Sequence, residues 1–115
     1  LGIKDSVLLM GNRSDVNQLM QAMDLFFMPS KFEGLPVSAI EAQSAGLPCL
    51  FADTITEQVK VTDAVKFESL NAPSQKWVGD MEKLLKEPRR NTSAQIIAAG
   101  YDIEENAEHI FERFL

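Results

Sequence analysis

The stretch that decides the fold of this chain is Pro29-Ser-Lys-Phe-Glu-Gly-Leu-Pro-Val-Ser-Ala-Ile-Glu-Ala-Gln-Ser-Ala-Gly-Leu-Pro48. The apolar residues 25–28 lead into it and predict a buried strand. Residues 36–45 predict a helix, because Gly46 and Pro48 follow them as stop signals. A strand that passes into a helix through a short polar loop is typical of a parallel α/β sheet.

Two carboxylates in this stretch indicate a ligand site. Glu33 lies on the loop, and Glu41 lies about a turn and a half inside the predicted helix. Gly34 and Pro36 between them favour a tight approach to a helix N-terminus, whose free N–H groups and partial positive charge suit a phosphate. N–H groups that donate to a phosphate, beside carboxylates that accept from hydroxyl groups, predict a site for a sugar nucleotide, with Val37 and Ser38 as the expected backbone donors.

The rest of the chain alternates strands and helices. Strands are predicted at 7–10, 25–28, 49–52 and 65–67, and helices are predicted to begin near 15, 36, 74 and 92. This pattern predicts a single domain over residues 1–115 with a three-layer, Rossmann-like α/β fold around a parallel sheet. Ligands bind such a sheet beyond the carboxyl ends of its strands, so the loops 11–13 and 29–34 are expected to converge. The polar connection 53–63 is predicted to be the most mobile.

Composition excludes several classes of function. The 115 residues are 45% hydrophobic and 24% charged, and the formal net charge is −6, which argues against nucleic acid binding. No apolar run approaches the roughly 20 residues that span a membrane. Cys49 is predicted to be a small core residue, and no residues have metal-ligand spacing. Because the chain begins at Leu1, we expect it to be a piece of a longer protein.

Most of the chain resembles the C-terminal nucleotide-binding half of the family 4 retaining glycosyltransferases, which have the GT-B fold. The resemblance is carried, in this order, by residues 1–11, Asp15-Val16, Met28-Pro29-Ser30, Glu33-Gly34, Glu41-Ala42 and Ala45-Gly46-Leu47-Pro48. It implies a partial donor-nucleotide-binding domain, which lacks the earlier strand–helix units of the family's C-terminal half and their diphosphate-binding basic residues.

The resemblance also implies an activity for the longer protein. That protein is expected to transfer a hexose from a nucleotide-sugar donor to a glycan or lipid-linked acceptor with retention, in polysaccharide biosynthesis. No cofactor and no metal ion are expected. The expected partners are the nucleotide sugar and an N-terminal domain of the same protein, in the cytoplasm or at the inner membrane surface. Without that domain the isolated chain is expected to be inactive and able to self-associate.

Specific roles follow from the resemblance alone. Glu33 is implied to be the catalytic carboxylate near the donor sugar and diphosphate, and Glu41 is implied to accept from the ribose hydroxyls. Backbone contacts to the donor are implied for Gly34, Leu35, Pro36 and Val37. Arg13 could reach the phosphate or base, or it could be an exposed partner of Asp15. Glu57 matches a position where the family often has an acidic residue, but a surface role is equally compatible.

Two other classes stay open. The chain could be a non-catalytic module that binds a nucleotide, or a flavodoxin-like signalling or interaction domain. The second would need an acidic cluster at a strand end, whereas Asp24 precedes its strand and Asp53 stands alone. The last segment carries an apolar stripe at helical spacing, which predicts a helix face that needs a partner. Its members are Ile103, Ala107, Ile110, Phe111 and Phe114.

Overall fold

The computed structural model describes residues 2–11, 13–31, 36–89 and 91–100. The elements in these ranges are α1 (Val16–Ala22), β1 (Phe26–Met28), α2 (Val37–Ser44), β2 (Cys49–Ala52), β3 (Val65–Glu68), α3 (Ser74–Leu85) and α4 (Ser93–Ala98). Short 3-10 helices lie at Lys4–Ser6 and Glu57–Val59. The apolar stripe predicted between residues 103 and 114 lies outside these ranges.

The strands form a parallel sheet in the order β1-β2-β3. Met28 pairs with Phe51, and Phe51 pairs with Phe67, so the side chains of these three residues lie on the same face of the sheet. Helix α2 connects β1 to its parallel neighbour β2, as the alternation of strand and helix predicted, whereas a loop with the short 3-10 helix Glu57–Val59 connects β2 to β3. The α/β, Rossmann-like fold is therefore confirmed.

One face of the sheet carries the main core. Phe51 of β2 is fully buried there and packs with Met20 of α1, Ile40 of α2 and Ile96 of α4. Cys49 belongs to the same cluster, as predicted, and burial raises the pKa of its thiol to about 12. The thiol therefore stays protonated near neutral pH.

The other face is covered by α3 and is partly polar. Trp77 of α3 meets Phe27 of β1 edge to face at 5.6 Å, and its indole N–H donates to the Ser69 carbonyl at 3.0 Å. The buried carboxylate of Asp80 pairs with Lys66 of β3 at 3.3 Å and with Lys76 at 3.6 Å. The sheet is thus enclosed by helices on both sides, in three layers.

The strand predicted at residues 7–10 is not formed. Val7 has extended backbone angles, φ −123° and ψ 128°, but the segment joins no ladder of the described sheet. Its side chains are exposed, with Leu8 at 82% and Leu9 at 95% of full exposure. An apolar run adopts a buried strand only where a neighbouring strand takes up its backbone hydrogen bonds, and the described residues provide none here.

Helix α2 ends as the sequence predicted. Gly46 has a positive φ of 82°, its N–H donates to Gln43, and the Leu47 N–H donates to Ala42. This pair of bonds is a Schellman motif, which satisfies the last carbonyls of the helix and turns the chain toward β2. The motif places the end of α2 directly before the central strand.

Candidate functional site

The carboxyl ends of the three strands form one edge of the sheet, which we call the carboxyl edge. It comprises residues 29–31 after β1, residues 53–56 after β2 and residues 68–69 at the end of β3. The Asp53 N–H donates to the Glu68 carbonyl at 2.8 Å, and the Thr54 hydroxyl donates to the Ser30 carbonyl at 2.7 Å. Hydrogen bonds therefore link all three strand ends at the edge where α/β sheets bind ligands.

The start of α2 belongs to this edge. Pro36 is its N-cap, with extended angles of φ −74° and ψ 125°, and Val37 is its first residue. The N–H groups of the first turn have no partners within a helix, and those of Val37 and Ser38 can therefore donate to a ligand. The sequence prediction placed Pro36 and Val37 at such a position, and their contact with a donor stays a prediction.

Glu41 lies one turn into α2 and is half-buried. Its neighbours Ile40 and Ala42 are in the core, and the described residues give its carboxylate no hydrogen bond or ion pair. Burial raises the pKa of Glu41 above its ordinary value. A carboxylate held partly out of water beside free N–H donors can accept hydrogen bonds from ligand hydroxyls, and it gains partners by doing so.

Three predicted site residues lie outside the residues that the structure describes. They are Glu33, Gly34 and Leu35. Their flanks, Lys31 and Pro36, are described, and these bracket the loop between the end of β1 and the start of α2. The catalytic role of Glu33 and the backbone roles of Gly34 and Leu35 stay predictions.

Arg13 is paired with Asp15. Its Nε and one terminal nitrogen each lie 2.7 Å from a carboxylate oxygen of Asp15, which raises the pKa of Arg13 and lowers that of Asp15. Asp15 is the N-cap of α1 by position, but its carboxylate makes no cap hydrogen bond. Residues 7–10 are not a strand of the described sheet, so the predicted convergence of loop 11–13 with loop 29–34 loses the strand on which it was based. Donor contact by Arg13 stays a prediction.

Sequence reasoning missed the role of Gln43. This side chain is fully buried on α2, and its amide donates to the carbonyls of Ala39 and Val59 while its oxygen accepts from the N–H groups of Val61 and Thr62. The signal was a glutamine on the apolar face of a helix. This anchoring argues against the prediction that connection 53–63 is the most mobile one.

A cleft of about 310 Å³ lies at the opposite, amino-terminal edge of the sheet. Its lining includes Asp24 before β1, Pro48 before β2 and Arg89 after α3. The Arg89 guanidinium donates to the carbonyls of Met20 and Met23 at the end of α1 and to that of Ala45 at the end of α2. Its donors thus satisfy helix C-termini, so we assign this cleft a structural role.

Comparison with known proteins identifies the family of the chain. Residues 1–103 match the family Glycosyl transferases group 1. The chain belongs to this family. The match includes the carboxyl edge, α2 and Glu41, so the candidate site lies within the part that the group 1 glycosyltransferases share. No solved structure gives a significant match to the chain.

Relatives in the family are much longer. EpsF of Bacillus subtilis, provisionally named a glycosyltransferase, is 38% identical over 104 residues, which are 87% of this chain and 27% of EpsF. UDP-Gal:alpha-D-GlcNAc-diphosphoundecaprenol alpha-1,3-galactosyltransferase of Escherichia coli is 42% identical over 46% of this chain and 14% of its own length. N,N'-diacetylbacillosaminyl-diphospho-undecaprenol alpha-1,3-N-acetylgalactosaminyltransferase of Campylobacter jejuni is 43% identical over 38% of this chain and 12% of its own. The chain therefore spans about a quarter or less of these relatives.

Within residues 2–11, 13–31, 36–89 and 91–100, every helix is too short or too polar to cross a bilayer. The same residues contain no cluster of three or more histidine, cysteine, aspartate or glutamate side chains that could hold a metal ion.

Proposed function

We propose that this chain is the donor-nucleotide-binding part of a retaining glycosyltransferase of the GT-B type, similar to family 4. The complete protein would transfer a hexose from a nucleotide sugar to a glycan or lipid-linked acceptor. The observation that carries the proposal is the position of Glu41. This half-buried carboxylate, with no partner among the described residues, lies one turn from the free N–H groups of α2 at the carboxyl edge of the sheet.

The chemistry follows from where charge develops. The bond between the anomeric carbon and the donor phosphate breaks, and the phosphate leaves with the bonding electrons. The acceptor hydroxyl oxygen bonds to the same face of the anomeric carbon, and its proton passes to an oxygen of the departing phosphate. The N–H groups of Val37 and Ser38 would stabilise the negative leaving group, and Glu33 the positive charge on the sugar ring. Glu41 would hold the ribose, and the contacts of Gly34, Leu35, Pro36 and Arg13 with the donor belong to the same proposal.

The partners are part of this proposal. Two of the relatives are named for acceptors or substrates linked to undecaprenol through a diphosphate. We therefore assign the complete protein a lipid-linked or glycan acceptor, an N-terminal domain that holds it, and a place in the cytoplasm at the inner membrane surface. Transfer is proposed to need no metal ion, which transfer assays with and without EDTA would test.

The test uses the complete protein that carries this chain. UDP-galactose, UDP-glucose, UDP-N-acetylgalactosamine and GDP-mannose are titrated and assayed for transfer, and the anomeric configuration of the product is determined. Glu41→Ala should weaken donor binding roughly 10-fold or more, because a hydrogen bond to a charged group is worth about 1.5–3 kcal/mol. Glu33→Gln should lower kcat at an unchanged melting temperature.

Glu82→Gln is the matched control, because Glu82 is exposed on α3. Its variant should bind and transfer like the parental protein. Donor binding without transfer by the parental protein would instead identify a non-catalytic nucleotide-binding module. No binding of any of the four donors, or unchanged binding and turnover in Glu41→Ala, would refute the proposed site.

A further inference from the structure

The polar side chains of α2 divide into two kinds. Gln43 and Ser44 hydrogen-bond to backbone carbonyls of the protein, and the partner of the Ser44 hydroxyl is the Ile40 carbonyl at 2.9 Å. Ser38 and Glu41 are half-buried, and the described residues give neither side chain a hydrogen-bond or ion-pair partner. Two of the four polar side chains of this helix are therefore unsatisfied within the described part of the chain.

Ser38 lacks the partner that a serine in a helix ordinarily uses. Such a serine donates to the carbonyl four residues earlier, as Ser44 does. Ser38 is the second residue of α2, after the N-cap Pro36 and the first residue Val37, so the residue four positions before it precedes the helix. Its hydroxyl is therefore available to donate to a ligand.

Ser38 and Glu41 lie on one face of α2. Residues three apart in a helix have Cβ atoms about 5–6 Å from each other, so these two side chains are neighbours. The Cα–Cβ bonds of a helix tilt toward its N-terminus. Both side chains therefore lean toward the free N–H groups of the first turn, at the carboxyl edge of the sheet.

The two side chains differ in hydrogen-bonding character. The ionised Glu41 carboxylate only accepts, which suits hydroxyl groups, whereas the Ser38 hydroxyl can donate, which suits an anion. Ser38 is also the nearer of the two to the helix N-terminus, where the helix dipole favours negative charge. A nucleoside diphosphate matches this order, with its phosphates at the start of α2 and its ribose one turn further along.

We propose that the side-chain hydroxyl of Ser38 donates to the diphosphate of the sugar nucleotide and so adds a side-chain donor to the backbone N–H groups of α2. This inference rests on the proposed function and assigns Ser38 a contact beyond that of its N–H. The contact is made to the phosphates and not to the ribose, which belongs to Glu41. Loss of the hydroxyl should therefore weaken binding of the diphosphate whether or not the ribose is complete.

The experiment uses the complete protein and calorimetric titration with UDP, GDP and the 2′-deoxy forms of both. The parental protein is compared with Ser38→Ala and Ser44→Ala. Ser44→Ala is the matched control, because it removes from the same helix a hydroxyl that donates to the Ile40 carbonyl. Melting temperatures of all three proteins are measured without ligand.

Ser38→Ala should weaken binding of the preferred nucleoside diphosphate about 10-fold, because it removes a hydrogen bond to a charged group. The loss should be equally large for the 2′-deoxy form. Ser44→Ala should bind within about 2-fold of the parental protein. The melting temperature of Ser38→Ala should not fall by more than about 3 °C, because alanine favours a helix and the hydroxyl has no described partner to lose.

Four results would overturn the proposal. They are parental affinity in Ser38→Ala, an equal loss in Ser44→Ala, a fall in the melting temperature of Ser38→Ala larger than about 8 °C, and a loss confined to the ribonucleotide, which would put the hydroxyl on the ribose. Failure of the parental protein to bind either UDP or GDP would refute the proposed function instead, which separates the two outcomes.

Discussion

The side-chain amide of Gln43 donates to the carbonyl oxygen of Val59 at 2.7 Å, and this contact fixes the connection between β2 and β3 to α2. Both residues are completely buried. The Gln43 oxygen also accepts from the N–H groups of Val61 and Thr62, at 2.9 and 3.0 Å. The helix that carries Glu41 and the loop that carries Thr54 are therefore parts of one rigid unit, held together from inside the core.

Replacement of Gln43 should strongly destabilise the protein. Gln43→Leu preserves the approximate volume but leaves the Val59 carbonyl and the Val61 and Thr62 N–H groups without their partner. Each unpaired buried polar group costs about 1–3 kcal/mol, and the loop can recover part of this by opening to water, so we expect a loss of about 2–4 kcal/mol. Urea unfolding monitored by circular dichroism would measure it.

Variants of two further glutamines serve as comparisons for the stability loss of Gln43→Leu. Gln95 on α4 accepts one hydrogen bond, from the Asp63 N–H at 3.0 Å, so Gln95→Leu should cost about 1 kcal/mol. Gln21 is exposed on α1, and Gln21→Leu should change stability by less than about 0.5 kcal/mol. If the three variants lose equal stability, the buried contacts of Gln43 do not fix the loop.

Glu41 should lower the stability of the folded protein at neutral pH. Burial raises its pKa, which means that the folded protein binds the proton more tightly than the unfolded chain does. The stability that this raised pKa contributes is present at pH values below the pKa of Glu41 in the unfolded chain. It is lost as the pH rises through the pKa of Glu41 in the folded protein. Glu41→Gln should therefore melt higher than the parental protein at pH 7, by about 1–4 °C, and the difference should vanish near pH 4.

Thermal unfolding of both proteins from pH 4 to 7.5 would check this, with Glu82→Gln as the exposed control. A Glu41→Gln variant that melts lower than the parental protein at pH 7 would mean that the carboxylate is stabilised by a contact in the unliganded protein. The expected combination, higher stability with weaker donor binding, is typical of a residue kept for function rather than for folding.

The buried carboxylate of Asp80 should depend on Lys66. Burial acts to raise the Asp80 pKa, but the hydrogen bond and charge of Lys66 and the charge of Lys76 outweigh it, so the pKa is lowered. The lowered pKa contributes stability at pH values above the pKa of Asp80 in the unfolded chain. This stability is lost as the pH falls through the pKa of Asp80 in the folded protein. Lys66→Met should cost about 1–2 kcal/mol at pH 7, less than for a fully buried pair because the Lys66 side chain is 39% exposed and Lys76 remains.

The pH dependence separates this effect from loss of packing. The deficit of Lys66→Met should shrink as the pH is lowered to about 4, because in the variant the Asp80 carboxyl is still buried but has lost a cation, so it takes up a proton at a higher pH than in the parental protein. Lys83→Met is the control, because Lys83 is exposed on α3, the helix that carries Asp80, and this variant should lose no stability at pH 4 or pH 7. A deficit in Lys66→Met that is constant between pH 4 and 7 would assign the loss to packing alone.

The sequence predictions were accurate where local interactions decide the structure and failed where contacts between residues far apart in sequence decide it. Helix α2 and strand β2 were predicted closely because Gly46 and Pro48 are local signals for a helix end and a turn. The prediction of a strand at 7–10 was wrong, because an apolar run indicates that its residues prefer burial but does not indicate that a neighbouring strand is there to pair with it. The Gln43 and Thr54 contacts span 16 and 24 residues of sequence, and no local pattern encodes such partners.

The apolar surface of the chain predicts self-association. Leu8 and Leu9 are 82% and 95% exposed, and β1 is an edge strand of the described sheet whose Phe27 is 44% exposed. An exposed apolar run and a free strand edge favour pairing with a second chain. The isolated 115-residue chain should therefore sediment as dimers or larger species at micromolar concentration and bind nucleotide sugars weakly or not at all.

Sedimentation velocity over a concentration series would test this, with nucleotide-sugar titration on the same samples. The double variant Leu8→Lys/Leu9→Lys should shift the chain toward monomer, because two charges cannot be buried at an apolar contact without a large desolvation cost. Val78→Lys is the matched control, because Val78 is a 50% exposed apolar residue of α3 and not of the run, and its variant should associate like the parental chain. If association persists in the double variant, the contact between chains involves another surface, such as the apolar stripe that the sequence predicts between residues 103 and 114. A parental chain that stays monomeric at all concentrations and binds a nucleotide sugar tightly would contradict the prediction, since its apolar run would then need no partner.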